Sequence, residues 1–216
     1  MKCCFLLSLS LALVLACCKA GNDTAPPPAS GSKVELFNGK DFAGWKLFMK
    51  GDADPAKTWS IENGMIKCTG RPNGYMRTEH PYQDYKVTVE WRFTTPGNTG
   101  VMVHMGLPDK VWPRSFECQG MHKHQGDFWM WEGADCKEPK IPGMNGFTRP
   151  GKSNEKPPGE WNTYEVECIG STVKIYVNGK LMNTATECNA TSGFIGLQSE
   201  GAAMEVRKVT LEPVSG

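Results

Sequence analysis

The clearest pattern in this chain is an alternation of apolar and polar side chains over short segments. From Tyr85 to Phe93 the sequence YKVTVEWRF places every apolar residue at an odd position and every polar residue at an even one, which is the period of a β-strand with one buried face. Asn-Gly pairs interrupt two further segments and predict hairpins over Trp59–Cys68 and Val173–Leu181. The other predicted strands are Tyr164–Ile169, Gly193–Gln198 and Met204–Leu211. Because no segment after residue 32 keeps a 3.6-residue period, the pattern predicts an all-β sandwich or barrel.

The N-terminal residues predict export. Lys2 precedes an apolar run, Phe5 to Ala16, that is too short to span a bilayer and is typical of a signal peptide over residues 1–16. The run ends in Val-Leu-Ala-Cys, which resembles a bacterial lipobox and predicts lipidation of Cys17; a plain secretory signal is the alternative and also means export. Residues 17–32, rich in Pro, Ala, Gly and Ser, predict a flexible linker. We therefore expect a protein in the periplasm or on the cell surface, anchored to a bacterial membrane only through its lipid.

Residues 33–216 are long enough for one domain with a substantial core. The whole chain has 24 Lys and Arg against 23 Asp and Glu, and removing residues 1–16 takes away one lysine and no acidic residue, which leaves 23 of each. This balanced charge argues against nucleic acid, or an anionic membrane surface, as the partner.

Five cysteines lie in the predicted domain, and an exported protein can keep up to two disulfides among them. Cys168 and Cys188 flank the second predicted hairpin, so we expect this pair to be bridged. The spacing of the five does not resemble a zinc site, and Cys118 is expected to be a buried thiol.

A Pro-Gly-Asn turn after Thr95 predicts that strand 85–93 folds back onto the segment that ends at Met105. In that register Glu90 lies near His104, and Arg92 faces the same neighbouring strand on the polar side. The expected result is a polar, ionisable surface.

The segment VWPRSFECQ places a carboxylate and an amide on one face of the next predicted strand, because Glu117 and Gln119 are two residues apart. Flat apolar rings beside polar groups suit a sugar, which has apolar C–H faces and a rim of hydroxyls. The further sugar-binding candidates near this pair are Trp112, Arg114, Asp127 and Trp129.

Each candidate also has a purely structural interpretation. Glu117 can pair with Arg92 or Arg114 across the sheet, and His104 can be a surface residue without a role. Tryptophans in a sandwich often belong to the core.

A divalent metal is the one cofactor that the sequence suggests. His122 and His124 lie at strand spacing and, together with Asp127, offer a partial ligand set. The spacing does not complete a ligand set, so a bound divalent metal is expected only if the fold brings a further ligand to these residues.

Six blocks occur in the order VELFNGKDFAGW, NTGVMVHM, VWPRSFECQ, GDFWMW, GEWNTYEVEC and GFIGLQSEG. In this order they resemble the 3-keto-disaccharide hydrolase domain family, and the resemblance runs from Val34 to Val214. It implies a concanavalin A-like jelly-roll β-sandwich, related in architecture to lectins and β-glucanases. It also implies substrates that are glycosides whose sugar is already oxidised to a ketone at C3.

The resemblance adds two late positions to the candidate substrate-binding residues, Gln198 in a Leu-Gln motif and Glu200 after it. Glu200 stands where many members of the family have histidine, and His104 stands where arginine is frequent. These two departures leave the substrate choice and any shared metal ligation open.

The chemistry implied by the resemblance starts from the C2 hydrogen, which the C3 ketone acidifies. Glu117 is the candidate base, and His104 is the candidate acid or second base. The groups that would bind sugar hydroxyls or the enolate oxygen are Gln119, Arg92 and Arg114.

The same residues are compatible with two other functions. Direct hydrolysis would use Glu117 with a second carboxylate, Glu200 or Glu90. A carbohydrate-binding module without catalysis would use the same fold. In every case the expected partner is an oligosaccharide or glycoside.

Overall fold

Strands account for almost all regular structure in residues 32–214, the part of the chain that this computed structural model describes. The helical elements there are two short 3-10 turns, Lys50–Asp52 and Pro55–Lys57, and no helix in this range is long and apolar enough to cross a membrane. The strands are β1 (Val34–Glu35), β2 (Trp45–Met49), β3 (Trp59–Glu62), β4 (Met65–Cys68), β5 (Gly74–Thr78), β6 (Tyr82–Gln83), β7 (Tyr85–Phe93), β8 (Gly100–Met105), β9 (Ser115–Gln119), β10 (Phe128–Trp131), β11 (Gly146–Phe147), β12 (Asn162–Ile169), β13 (Thr172–Val177), β14 (Lys180–Ala185), β15 (Ser192–Ser199) and β16 (Met204–Pro213). The predicted signal peptide, Cys17 and the linker up to residue 31 lie outside the described residues.

The strands form two antiparallel sheets that pack face to face. The back sheet has the order β14-β13-β12-β7-β16-β4-β3, with β1 beside β16. The front sheet has the order β11-β10-β9-β8-β15-β5-β2, with β6 beside β15. This two-layer arrangement confirms the jelly-roll β-sandwich expected from the sequence.

Both Asn-Gly hairpins form as predicted. β3 pairs with β4 around Asn63 (φ 52°) and Gly64 (φ 72°). β13 pairs with β14 around Asn178 (φ 49°) and Gly179 (φ 77°). Positive φ at both central residues is the geometry of a type I′ turn, whose twist matches that of the flanking strands.

The alternating segment 85–93 is the central strand of the back sheet, β7. Its odd-numbered residues face the front sheet and are at most 5% exposed. Trp91 packs against Tyr164 of β12 with 4.8 Å between ring centroids. Burying each such side chain contributes roughly 1.5–3 kcal/mol, so this strand is a main source of core stability.

The predicted pairing of this strand with β8 is wrong. β7 pairs with β12 and β16, and the turn after Thr95 carries the chain from the back sheet to the front sheet. Glu90 and Arg92 consequently lie on the outer face of the back sheet, where Glu90 bonds Arg207 and Arg92 bonds Glu205, both at 2.6 Å. The sandwich separates them from the polar face of the front sheet, so they do not join the candidate site.

The predicted disulfide is also absent, because Cys168 and Cys188 are free thiols. The neighbour of Cys168 on the adjacent strand is Val173 of β13. Cys188 follows β14, one strand further away, and its amide donates to the carbonyl of Ser171 in the turn before β13. β13 therefore lies between the two strands that the prediction joined.

A hydrogen bond across the core ties the back sheet to the front sheet near the polar face. The hydroxyl of Tyr164 on β12 donates to the carbonyl of Gln119 on β9 at 2.8 Å, and Tyr164 is fully buried. The carbonyl belongs to the same short strand as Glu117, so this bond holds β9 in place from behind.

We expect Tyr164→Phe to lower the free energy of unfolding by about 1 kcal/mol or somewhat more, because the buried carbonyl loses its donor. Urea denaturation of both proteins measures the difference. Tyr176→Phe, on the outer face of the back sheet, is the matched control and should change little. Equal stability of Tyr164→Phe and the wild type would show that this bond contributes nothing.

Candidate active site

The outer face of the front sheet carries a buried carboxyl group. Phe116 and Cys118 point into the core between the sheets, so Glu117 between them points outward. It is nevertheless only 2% exposed. An acidic side chain is rarely buried to this degree, and its surroundings therefore need an explanation.

Two donors and one glycine surround this carboxyl. The indole Nε1 of Trp131 on β10 donates to Oε2 of Glu117 at 2.7 Å, and the side chain of Gln198 on β15 also donates to it. Gly100 on β8 lies between Gln198 and Glu117; a Cβ there would be 2.5 Å from Oε1 of Gln198 and 2.9 Å from Cγ of Glu117. A glycine is required at this position because the two side chains meet above its backbone.

The protonation of Glu117 is set by its burial. Loss of hydration raises its pKa most, the negative charge of Glu200 also raises it, and the hydrogen bonds from Trp131 and Gln198 lower it; together they bring the pKa to about 8. Desolvation has the largest effect on the pKa because the neutral donors offset only part of the lost hydration. Glu117 is therefore mainly protonated at neutral pH.

Glu200 is the second carboxyl of the site. It directly follows β15 and is half-buried, and burial raises its pKa. It lines a narrow recess together with Trp112 and Gln198, and it also borders a larger cleft. Two carboxyls whose charges interact are the pattern from which acid and base roles arise.

Aromatic rings form one wall of the site. Trp112 packs against Trp131 with 5.8 Å between ring centroids. Trp129, directly opposite Glu117 on β10, is half-buried and lies under Gly146. The sequence interpretation of Trp112 and Trp129 as residues near Glu117 agrees with this placement. Trp131 contacts Glu117 directly. Because it is two residues from Trp129, the alternation of a strand places it on the same face of β10.

A cleft of about 380 Å³ opens beside Glu200. Its walls come from the turn after β7, the segment after β9 and the segment after β15, and its lining residues are Pro96, Gly97, Asn98, Met121, His122, Glu200 and Gly201. The Oδ1 atom of Asn98 is buried there without a hydrogen-bond partner. A cleft of this volume holds one or two small rings.

Gln119 shares the strand face of Glu117 but serves the loop that follows. Its Oε1 accepts a hydrogen bond from the amide of Met121 at 2.9 Å. It shapes one wall of the cleft, since Met121 and His122 line that space.

His104 does not join Glu117, contrary to the prediction. A bulge in β8 against β15 adds one residue, and His104 has φ 50°. The bulge turns the imidazole into the core, where its ring centroid is 6.1 Å from those of both Tyr85 and Phe116. Its Nδ1 is 2.9 Å from the carbonyl oxygen of Ala190. Burial lowers its pKa to about 4, so it is neutral and shielded from any substrate.

Arg114 is also placed away from Glu117. Its guanidinium donates to the backbone carbonyl and the side-chain oxygen of Asn189, at 3.1 and 3.0 Å. It therefore holds the segment before β15 and does not reach the carboxyls.

Asp127 belongs to a buried ion pair. Its Oδ1 accepts from Nη1 of Arg149 at 2.6 Å and from the amide of Arg149 at 3.0 Å. Asp127 is 1% exposed, and removal of one partner of such a pair destabilises the fold strongly. It holds the segment before β10 through Arg149.

The two candidate metal ligands, His122 and His124, each pair with a different carboxylate. His122 pairs with Glu155 at 2.9 Å, and His124 pairs with Asp127 at 3.0 Å. Asp127 already accepts from Arg149. Within residues 32–214 no group of three or more His, Cys, Asp or Glu side chains is arranged to hold a metal, so these residues do not fit one.

Glu117→Gln should become more stable relative to the wild type as the pH rises. The unfolded chain releases this proton near pH 4.5, whereas the folded chain keeps it until about pH 8. The contribution of Glu117 to the free energy of unfolding of the wild type therefore falls by about 1.4 kcal/mol per pH unit between pH 4.5 and about 8. At higher pH this contribution stays constant. Glutamine carries no such proton.

Urea denaturation at intervals of about one pH unit tests this difference. Glu35→Gln, at an exposed carboxylate of the back sheet, is the control and should follow the wild type. If the free energies of unfolding of Glu117→Gln and the wild type changed in parallel with pH, Glu117 would not have a raised pKa in the folded protein.

Among the solved structures with the same fold are proteins described as glycosyl hydrolases, β-glucanases and a carbohydrate-binding module. A candidate glycosyl hydrolase from Parabacteroides distasonis superimposes with a TM-score of 0.65 at 23% identity, over 86% of this chain and 94% of that one. A β-glucanase from Bacillus licheniformis gives 0.56 at 15% identity, over 87% and 100%. A carbohydrate-binding module of family 66 from Bacillus subtilis gives 0.55 at 15% identity, over 78% and 95%. At these identities the likeness shows a shared fold.

No curated protein is similar to this chain in sequence. A family model does match, over residues 32–212, and its description is a 3-keto-alpha-glucoside-1,2-lyase-like domain. The match spans both sheets and every residue of the site described above. The chain therefore belongs to the 3-keto-alpha-glucoside-1,2-lyase-like family, the 3-keto-disaccharide hydrolase domain that its six sequence blocks resemble.

Proposed function

We propose that this protein is an exported enzyme that cleaves 3-keto-glycosides by elimination across C1 and C2 of the oxidised sugar. The observation that carries the proposal is the carboxyl of Glu117, buried beside Glu200 and retaining its proton at neutral pH. The family description, a 1,2-lyase of 3-keto-alpha-glucosides, supports the same bond change. The tryptophan wall supports a sugar as the ligand.

The reaction needs one base and one acid. A ketone at C3 acidifies the hydrogen at C2, and a base removes it as a proton to leave an enolate. The electron pair then forms the C1–C2 double bond, and the bond from C1 to the glycosidic oxygen breaks. That oxygen leaves as an alcohol once an acid has protonated it, and water can afterwards add across the double bond.

Glu117 and Glu200 divide these roles according to their protonation. Glu117 holds a proton at neutral pH and is the acid for the departing oxygen. Glu200 lies closer to solvent and is the base that takes the C2 proton. This assignment reverses the role expected for Glu117 from the sequence and replaces His104, which lies in the core.

Two other functions use the same residues. Direct hydrolysis by the two carboxyls would not require the ketone. A binding module would require neither carboxyl to transfer a proton, and the Bacillus subtilis carbohydrate-binding module with this fold keeps that function open.

The purified domain should release the aglycone from an aryl 3-keto-glucoside and not from the unoxidised aryl glucoside. We expect kcat to fall as the pH rises through about 8, because Glu117 must donate a proton. Glu117→Gln and Glu200→Gln should each lower kcat by about 100-fold or more. Aglycone absorbance and calorimetric binding are the measurements.

The outcomes separate the candidate functions. Equal release of the aglycone from both substrates would show that the enzyme cleaves by direct hydrolysis and not by elimination. Binding of the glucosides without release from either would leave a binding module. Asp54→Asn, at a loop aspartate that caps a 3-10 turn, is the control and should keep full activity.

The proposed location rests on residues 1–17. Expressed in a bacterium, the full chain should incorporate labelled palmitate and partition with membranes, whereas Cys17→Ala should lose the label and stay soluble after export. Cys18→Ala is the matched control and should keep the label. A labelled Cys17→Ala chain would place the lipid elsewhere.

A further inference from the structure

A second apolar cluster lies on the outer face of the front sheet, beyond Glu117. Its buried members are Tyr75, Met102 and Met105, with Phe48 and Phe194 packed against them. These side chains face away from the back sheet, because their strand neighbours such as Met76 and Val101 belong to the core between the sheets. Part of the chain must therefore cover this face.

The segment that covers it is the loop 106–114 between β8 and β9, and Asp109 fixes this loop to the sheet. The carboxylate of Asp109 accepts from Nε of Arg77 at 2.7 Å and from Nη2 at 3.0 Å. The hydroxyl of Tyr75 donates to it at 2.9 Å, and Nζ of Lys46 lies 3.2 Å away. Arg77 and Tyr75 are on β5 and Lys46 is on β2, so one side chain joins the loop to two strands.

This ion pair is well shielded and specific in geometry. The guanidinium of Arg77 meets the carboxylate through two nitrogens and lies 4.4 Å from the ring centre of Phe194. The side chains of Arg77 and Asp109 are 5% and 14% exposed. Arg77, with further help from Tyr75 and Lys46, lowers the pKa of Asp109 to about 2, so the carboxylate stays charged at any pH of interest.

The same loop carries Trp112 to the carboxyl pair. Trp112 packs against Trp131, which donates to Glu117. It also lines the narrow recess with Val111, Gln198 and Glu200. The position of Trp112 beside the reacting groups thus depends on how the preceding residues of the loop are fixed.

The two ends of the site differ as a result. The loop covers the sheet on the side of β5 and β2, where Asp109 contacts Tyr75, Arg77 and Lys46. On the other side of Glu200 the cleft of about 380 Å³ is open. A substrate bound at the carboxyls would therefore have room on the side of the cleft and would meet the loop on the other side.

We propose that Asp109 is a positioning residue whose bonds to Arg77, Tyr75 and Lys46 hold the loop 106–114 across the sheet and restrict the site to the terminal sugar of a glycoside. The keto sugar would lie under Trp112, and its leaving group would lie in the cleft beside Asn98 and Met121. The proposal rests on the proposed function, whose substrate class it narrows to short, end-on glycosides.

The test compares two substrates that differ at the covered end. One is an aryl 3-keto-glucoside; the other carries an additional glucose on O4 of the keto sugar. The wild type should prefer the first by about 100-fold in kcat/KM, and Asp109→Ala should reduce this preference about tenfold or more. Asp109→Asn, which keeps a hydrogen-bond acceptor, should fall between them. Asp52→Asn, at an exposed aspartate, is the control.

A second readout does not depend on activity. An opened loop admits water to Glu117, and hydration lowers the pKa of that carboxyl. The free energies of unfolding of Glu117→Gln and its parent differ by an amount that becomes constant above this pKa. In the Asp109→Ala background the difference should become constant at a pH lower by about one unit or more. Circular dichroism establishes that each variant is folded. An unchanged substrate preference together with an unchanged titration would overturn the proposal.

The failure of the proposed function would look different. If the wild type cleaves neither keto substrate, the enzymatic assignment fails. The titration of Glu117 with and without Asp109 then still decides whether Asp109 positions the loop over that carboxyl.

Discussion

A carboxyl group buried without a cation is the constraint on which this site depends. Within the described residues, none of the groups that shift the pKa of Glu117 is positively charged. Two neutral donors offset part of the free-energy cost of losing hydration. The rest of that cost does not arise while the carboxyl keeps its proton, because it is then uncharged. The fold thereby keeps a proton donor ready at neutral pH, which an exposed glutamate or a glutamate paired with arginine would not provide.

The rest of the sandwich fixes the walls around this carboxyl. Tyr164 holds β9 from the core side, and the ion pair of Asp127 with Arg149 holds the segment that leads into β10. The side chains of Gln119 and Asp127 also serve the scaffold, because the first accepts from the amide of Met121 and the second from Arg149. Groups near a site are not members of it unless their polar atoms remain available to a ligand.

The parts of the fold that depend on local pattern could be predicted. Alternation identified β7, Asn-Gly pairs identified two hairpins, and the spacing of Glu117 and Gln119 placed both on one face. The sheet partner of β7 could not be predicted, because a turn that stays within a sheet and one that crosses to the other sheet leave the same alternation in the sequence.

The remaining errors have equally specific causes. One additional residue in β8 turns His104 into the core, and a bulge leaves no sequence signal of its own here. Asp109 lies in a loop without periodicity, and its partners Arg77 and Tyr75 come from a strand more than thirty residues earlier. Long-range contacts of this kind appear only once the chain is folded.

Gly100 has a consequence for how this site can change. Gln198 and Glu117 meet above a stretch of β8 backbone that carries no side chain, so the smallest residue determines the distance between the two larger ones. The three positions are therefore coupled: an alanine at 100 would push the amide and the carboxyl apart while leaving both chemically intact. A substitution that removes no functional group would then separate an acid from the residue that orients it.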